Sequence, residues 1–332
     1  MEKSVKRKEG NIMKKIAIIT TRFGSFLNYK DLWLLSVAYN SNIDFYLVTD
    51  IPIENNEYPP NLHIINTTLE GLRNRIQIFF DFDIVIDRPY KITDYQAAFG
   101  LIFKEELIDY DFWGYCDTDV IFGDLRTFFT DGILEENERI YFKDHLTLYR
   151  NNQKMRELFM AKSLNALSYK KAFTTPYICY FGEKAMIELT KENNIAYYNN
   201  PEYADVLYKY FNFRLATELP NNIPQVFEWN HGRLYKLTVE NNCVIKKEYS
   251  YVHLQKRNMG IYVDQQEKGF LVVPNMFITK RNLTTEEILK FSKDKLIWRI
   301  LYYWKHRFIG RLKKVRNDAI KQRLIMYFGK KT

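Results

Sequence analysis

Two aspartates stand where a buried strand has to end, and this constrains the chain more than any other feature. Residues 112–125 read FWGYCDTDVIFGDL, an apolar and aromatic run that leads straight into Asp117 and Asp119. A second apolar run, residues 120–122, follows at once, and Gly123 and Asp124 close the segment. Ionised carboxylates in an apolar interior are costly unless something compensates them. A solvated turn is one way to meet that cost, and a compensating positive charge at the pair is the other. A divalent cation is the simplest such charge, because hard cations take oxygen ligands. Asp-any-Asp occurs three times in the chain, and position separates the three. Asp81 and Asp83 precede the apolar residues 84–86, at the expected start of a strand. Asp109 and Asp111 fall in the turn before residue 112. Only Asp117 and Asp119 come at a strand exit, where open α/β sheets place their ligands.

The preceding hundred residues give that strand its context. Residues 14–20 are a short Ile-rich run that reads as a buried strand, followed by a loop around Gly24 and Ser25. A helix is expected over residues 31–40, strands over 44–49 and 62–65, and a helix over 69–80, with Pro52, Pro59 and Pro60 breaking the segment between the second and third strands. Strands alternating with helices predict a mixed, mainly parallel sheet flanked by helices. A helix over 94–108, capped by Asp94, leads into the acidic strand. Further on, strands are expected over 139–142 and 146–149, helices over 151–166 and 182–193, and a strand pair from residues 236–239, 244–245 and 249–254.

Length permits one large domain or two small ones, and the composition is ordinary for a folded soluble protein: 332 residues, of which 46% are hydrophobic. The aromatic share of 16% suits a protein that handles sugars or a membrane surface, but an AT-rich coding sequence favouring Tyr, Phe, Asn, Lys and Ile is the better account of it. Cys116, Cys179 and Cys243 lie far apart and show neither a disulfide framework nor zinc spacing, which points to a reducing, cytoplasmic setting. The Lys-rich start lacks the apolar core of a signal peptide, and residues 1–12 read as a disordered leader or as an upstream mis-start before the more typical beginning at Met13. The net charge of +9 is concentrated at the other end, where residues 293–332 carry thirteen Lys and Arg against two Asp, or +11, leaving −2 for the rest.

The acidic strand, with its small-residue turn, resembles the metal- and sugar-diphosphate-binding signature of nucleotide-sugar glycosyltransferases of the GT-A fold. The segment Pro89-Tyr90-Lys91-Ile92-Thr93-Asp94 is similar to the Lys-any-any-Asp helix of bacterial capsule and lipopolysaccharide transferases. More closely, residues 88–91, 112–125 and 145–151 resemble a bacterial family encoded in surface-polysaccharide loci, over roughly residues 14–276. The resemblance implies a Rossmann-related GT-A domain over residues 13–290, followed by a basic tail over 291–332.

It also implies site roles. Asp119 would ligate Mn²⁺ or Mg²⁺, and Asp117 would hold sugar or ribose hydroxyls and share the metal. Thr20, Thr21 and Arg22 would line the nucleotide pocket, and Asp50 would face base or ribose. Lys91 and Asp94 would contact the nucleotide or donor sugar. A third metal ligand is expected near the end of the domain, and His253 is the candidate. Lys256 and Arg257 beside it would hold the diphosphate of the donor, a nucleoside-diphosphate sugar with UDP as the expected nucleotide. An inverting reaction would need a carboxylate base, for which Glu202, Asp205 and Asp124 are candidates; a retaining one would not. His145 precedes a strand, where packing or capping is its expected role and acceptor contact the alternative. His63 and His231 have no identifiable partner, and His306 belongs to the tail.

In the tail, Ile297, Leu301, Trp304, Phe308, Leu312 and Val315 recur at helical spacing among Lys and Arg, with no apolar run long enough to span a bilayer. A basic amphipathic helix of this kind suits an anionic membrane surface, and places the protein on the cytoplasmic face of the plasma membrane beside a glycan or lipid-linked acceptor. Packing on the body or on a partner is the alternative. The near-neutral body argues against nucleic acid. Two further readings stay open: a sugar nucleotidyltransferase, although residues 21–24 are poor in glycine for one, and a membrane-bound scaffold that keeps the fold without catalysis.

Overall fold

A computed structural model describes residues 13–52, 58–255, 257–263, 268–301 and 303–304. The expected leader, Lys256 and most of the basic tail lie outside these residues. Strand β1 (Ile16–Arg22), helix α1 (Lys30–Ala38), strands β2 (Asp44–Thr49) and β3 (Leu62–Asn66), and helix α2 (Leu69–Gln77) alternate as the sequence predicts. Thr68 starts α2 by accepting a hydrogen bond from the Gly71 amide. Next come β4 (Phe112–Cys116), β5 (Val120–Phe122), β6 (Arg139–Lys143), β7 (Leu146–Arg150) and β8 (Tyr197–Tyr198).

The central sheet has the order β3-β2-β1-β4-β7-β6-β8. The first four of these strands are mutually parallel. Strand β7 pairs antiparallel with both β4 and β6, and β8 runs parallel to β6, so β7 alone opposes the rest. The mixed, mainly parallel sheet flanked by helices is therefore present. The chain lays β2 and β3 on one side of β1 and then crosses to lay β4 on the other. That reversal is a topological switch point, and the crevice lies outside the carboxyl ends of β1 and β4. Thr20 pairs with Cys116 in the ladder, so Asp117 emerges directly beside Thr21.

Period-2 alternation divides the sheet's side chains between two cores. Ile16, Ile18, Phe45, Leu47 and Phe112 face α1 and a second sheet, whereas Ala17, Ile19, Val48, Trp113 and Tyr115 face α2 and the helix Phe181–Glu192. The later strands are β9 (Ala204–Asp205), β10 (Gln225–Asn230), β11 (Arg233–Glu240), β12 (Cys243–Tyr249), β13 (Tyr251–His253), β14 (Gly260–Tyr262), β15 (Gly269–Val273) and β16 (Met276–Thr279). Six of them form the second sheet, β12-β11-β10-β15-β16-β14, and Phe227, Trp229, Phe270 and Phe277 from it enter the first core.

Four expectations about elements are corrected. Only the β11–β12 hairpin of the second sheet was anticipated. The run 249–254 is two strands rather than one, broken at the buried Ser250, where the chain leaves the second sheet. Residues 94–108 are two 3₁₀ turns, Pro89–Asp94 and Gln96–Ala98, and a single α-turn, Phe99–Ile102, rather than one helix. Residues 151–166 likewise hold only the short helix Gln153–Glu157 and a 3₁₀ turn. Ile84 to Ile86 form no strand; the Val85 amide donates instead to the Phe173 carbonyl.

Candidate active site

A third, small sheet builds the site. Its order is β5-β13-β9, with His253 opposite Val120 on one side and opposite Asp205 on the other. The Leu254 amide donates to the Asp119 carbonyl at 2.9 Å and extends that ladder past its end. The strand that follows the acidic pair thus carries the histidine to it, although 134 positions separate Asp119 from His253. His253 Nε2 lies 3.4 Å from Asp119 Oδ1 and 3.9 Å from Asp117 Oδ2. Ligand atoms of the three side chains all fall within 4.8 Å of one another. Two carboxylates and one imidazole suit a divalent cation that accepts both oxygen and nitrogen, such as Mn²⁺.

On its other edge the same imidazole is held firmly. His253 Nδ1 lies 2.9 Å from Asp205 Oδ1, and the Gln255 amide donates to that oxygen at 2.8 Å. The His145 ring stacks on His253, with centroids 4.3 Å apart, and the Tyr251 hydroxyl lies 2.9 Å from His145 Nδ1. Burial works against the His253 cation, but the Asp119 charge and hydrogen bonds to Asp119 and Asp205 outweigh it and push the imidazole up to about 10. Burial and the neighbouring His253 push His145 down to about 4. Burial acts to raise Asp205, yet the two imidazoles hold its carboxyl well below the usual carboxylate range.

The acidic pair stands between two lobes of one cleft. The larger lobe, about 600 Å³, is lined by Lys143, Asp144, His145, Tyr180, Glu183 and Asp205, among others. The smaller, about 270 Å³, runs along the exit of β1 past Thr21, Arg22, Phe23 and Gln96. Asp117, Asp119, Tyr90 and Thr93 line both. The first two follow β4, and the last two lie on the 3₁₀ turn Pro89–Asp94 that roofs the cleft.

Several wall residues escaped the sequence reading. A register shift between Ile140 and Lys143, with Tyr141 at φ 62°, interrupts β6 just before Lys143 and Asp144, which line the larger lobe. Lys143 pairs with Glu183. Asp144 Oδ1 is buried without a hydrogen-bond partner, and burial together with the Glu183 and Asp117 charges raises its pKa well above the ordinary value. Gly182 makes room for it, since a Cβ there would lie 2.3 Å from Asp144 Oδ1. A bulge and the start of a distant helix assemble this wall, so no local motif announced it.

Other expected site residues do different work. Lys91 and Asp94 are fully buried and pair at 2.7 Å. The ammonium also donates to the Ala172 and Tyr177 carbonyls, and the carboxylate accepts from the Cys179 and Phe181 amides. The pair therefore anchors the roof. Arg257 spends both of its Nη groups inside the protein, on the carbonyls of Leu207, Tyr210 and Phe211 and on Asn275, so it staples the 207–211 segment. Asp124 caps the helix Leu125–Phe128 by accepting from the Arg126 amide. Glu202 accepts from the Tyr198 hydroxyl and lines neither lobe. Asp50 is exposed and accepts from the Gly24 amide, which ties the loop after β1 to the end of β2. Thr20 is fully buried within the sheet.

Among solved structures, the galactosyltransferase LgtC in complex with donor and acceptor sugar analogues is similar over 57% of this chain and 75% of its own, at 14% identity and a TM-score of 0.36. The glycosyltransferase GlyE of Streptococcus pneumoniae TIGR4 is similar over 57% of this chain and 46% of its own, at 13% identity and a TM-score of 0.34. Neither likeness is close enough to carry an activity across. A search of curated proteins finds no match. The sequence pattern of a family of unknown function (DUF6625) matches residues 18–281, and the chain belongs to that family.

Proposed function

We propose that this protein is a metal-dependent glycosyltransferase that moves a sugar from a nucleoside-diphosphate sugar to a hydroxyl. One observation carries the reading: Asp117, Asp119 and His253 converge at the switch point of the sheet, on the boundary between a smaller and a larger lobe. A donor laid across that boundary puts its nucleotide along the exit of β1, its diphosphate at the acidic pair and its sugar in the larger lobe. Asp117, Asp119 and His253 would hold Mn²⁺ or Mg²⁺, whose chemistry is to offset charge on the departing diphosphate. Arg22 at the mouth of the smaller lobe adds positive charge on the nucleotide side. Tyr90 and Tyr180 give the larger lobe the apolar faces that sugar rings pack on.

The acceptor we propose is a glycan or lipid-linked glycan of a bacterial surface polysaccharide, met at the cytoplasmic face of the plasma membrane. Residues 296–301 are helical and leave Leu296, Ile297 and Leu301 exposed, and Trp304 beyond them is exposed as well. This apolar surface leads into a strongly cationic sequence, a combination that favours anionic lipid. No described helix is long and apolar enough to cross a membrane. The helix starts beside the site, since the Trp298 ring packs edge-on against Phe211 and its indole faces the carbonyl of Tyr208, a wall residue of the larger lobe.

A thermal-shift panel of nucleotide sugars with and without Mn²⁺ tests the reading, because a ligand that binds only the folded state raises the melting temperature. A cognate donor should stabilise the protein by several degrees only when Mn²⁺ is present. A panel with no metal-dependent shift and no turnover would contradict it.

A further inference from the structure

We infer that Asp205 is a positioning residue that fixes the metal-binding edge of His253, and does not act as the base for the acceptor. The inference rests on the proposed metal site and deepens it. An imidazole can offer either ring nitrogen, and the partner of one nitrogen decides what the other can do. Here the ladder pairs His253 with Asp205, and the Asp205 carboxylate receives Nδ1 at 2.9 Å. Nδ1 therefore carries a proton, and Nε2 is the edge left for a cation, turned toward Asp119 and Asp117 at 3.4 and 3.9 Å. A carboxylate behind a ligating histidine also makes the ring a better donor.

The surroundings leave Asp205 little freedom for other work. It is almost fully buried, and the same oxygen accepts from Gln255. Its second oxygen faces His145 Nε2 at 3.8 Å, beyond hydrogen-bond distance. The stacked His145 ring closes one face of His253, and Tyr251 in turn fixes His145. A base that collects a proton from a substrate hydroxyl must be within reach of that hydroxyl with a lone pair directed at it. Asp205 instead commits one oxygen to His253 and Gln255 and turns the other to the His145 ring. Tyr251, His145, Asp205 and His253 thus form a buried chain whose outer end is the metal-facing nitrogen.

The test measures Mn²⁺ affinity by titration calorimetry for the wild type, Asp205→Asn and Asp205→Ala, together with the melting temperature of each without metal. Asp205→Ala should weaken Mn²⁺ binding by about 10- to 100-fold. Asp205→Asn, whose amide oxygen can still accept from Nδ1, should lose clearly less and melt near the wild type. Nitrogen-15 NMR of the metal-free wild type should show a persistent proton on His253 Nδ1, absent from Asp205→Ala. Wild-type affinity in a folded Asp205→Ala protein, an equal loss in both variants, or no such proton in the wild type would each overturn the inference while leaving the glycosyltransferase reading standing. A wild type that binds no Mn²⁺ would overturn both.

Discussion

Asp119 and Gly182 show how narrowly single residues set this cleft. The Asp119 side chain is nearly buried and faces His253, so removing its charge takes away one of two carboxylates from the proposed metal. Asp119→Asn should leave the fold intact by circular dichroism while Mn²⁺-dependent turnover falls by at least ~100-fold, of the order seen when a transition-state charge loses a partner. Gly182 tests the opposite wall. A methyl group there would also lie 2.9 Å from the Tyr115 hydroxyl, so Gly182→Ala must push Asp144 or the helix start aside. Overpacking of this kind costs about 1–3 kcal/mol, and urea denaturation should show a loss in that range. Turnover should fall as well, because the displaced carboxyl lines the larger lobe, where the proposed donor sugar would sit. An alanine variant with unchanged stability would mean that Asp144 does not sit against Gly182. At this scale the sequence was legible where chemistry repeats a local pattern. Asp117 and Asp119 announced themselves through the apolar run before them, whereas Asp144 and Glu183 had no such signal and meet only through a bulge and a helix start.

At the scale of elements, the 3₁₀ turn Pro89–Asp94 is held down by one buried ion pair. Lys91 and Asp94 are both inaccessible to solvent and both satisfied by backbone groups from residues 172–181. Such a pair is weak evidence of net stabilisation, but removing one partner strands the other charge and costs about 3–5 kcal/mol. Asp94→Asn should therefore lower unfolding free energy by about that amount, read from urea midpoints, and should loosen Tyr90 and Thr93 on the roof. A variant as stable as the wild type would show that the ammonium finds another partner. The resemblance to bacterial transferases suggested a ligand contact for this pair, and the Lys-any-any-Asp spacing by itself does not say whether the pair is buried. The carbonyls and amides that satisfy it lie some eighty residues away, where no local window reaches. The same limit explains the second sheet: β10 and β15 pair across about forty intervening residues, and neither carries a turn signal that names its partner. The strands from β1 to β4 were readable because each is flanked by its own helix or turn and by Pro or Gly punctuation.

For the whole molecule, the switch point of the parallel strands, the small sheet that returns His253 to the acidic pair, and the helix that starts beside Tyr208 all meet at one cleft. The strand-exit rule located that cleft from sequence. The small sheet could not be foreseen, because β5, β9 and β13 are each two or three residues long and far apart in the chain. The tail adds a prediction at this scale. Because Trp298 packs on the body, the truncation that tests membrane binding should spare it and remove residues 305–332, which hold ten Lys and Arg against one Asp. This truncated protein should no longer sediment with vesicles containing phosphatidylglycerol and should keep its melting temperature. Undiminished binding would place the contact elsewhere. The central claim, that Asp117, Asp119 and His253 hold a metal that serves a nucleotide-sugar donor, is met most directly by Mn²⁺-dependent release of nucleoside diphosphate from a nucleotide-sugar panel, run side by side on the wild type and Asp119→Asn. The account predicts release by the wild type from at least one donor, abolished by EDTA, restored by Mn²⁺ and absent from the variant. Release that is insensitive to EDTA, or equal in the two proteins, would contradict it.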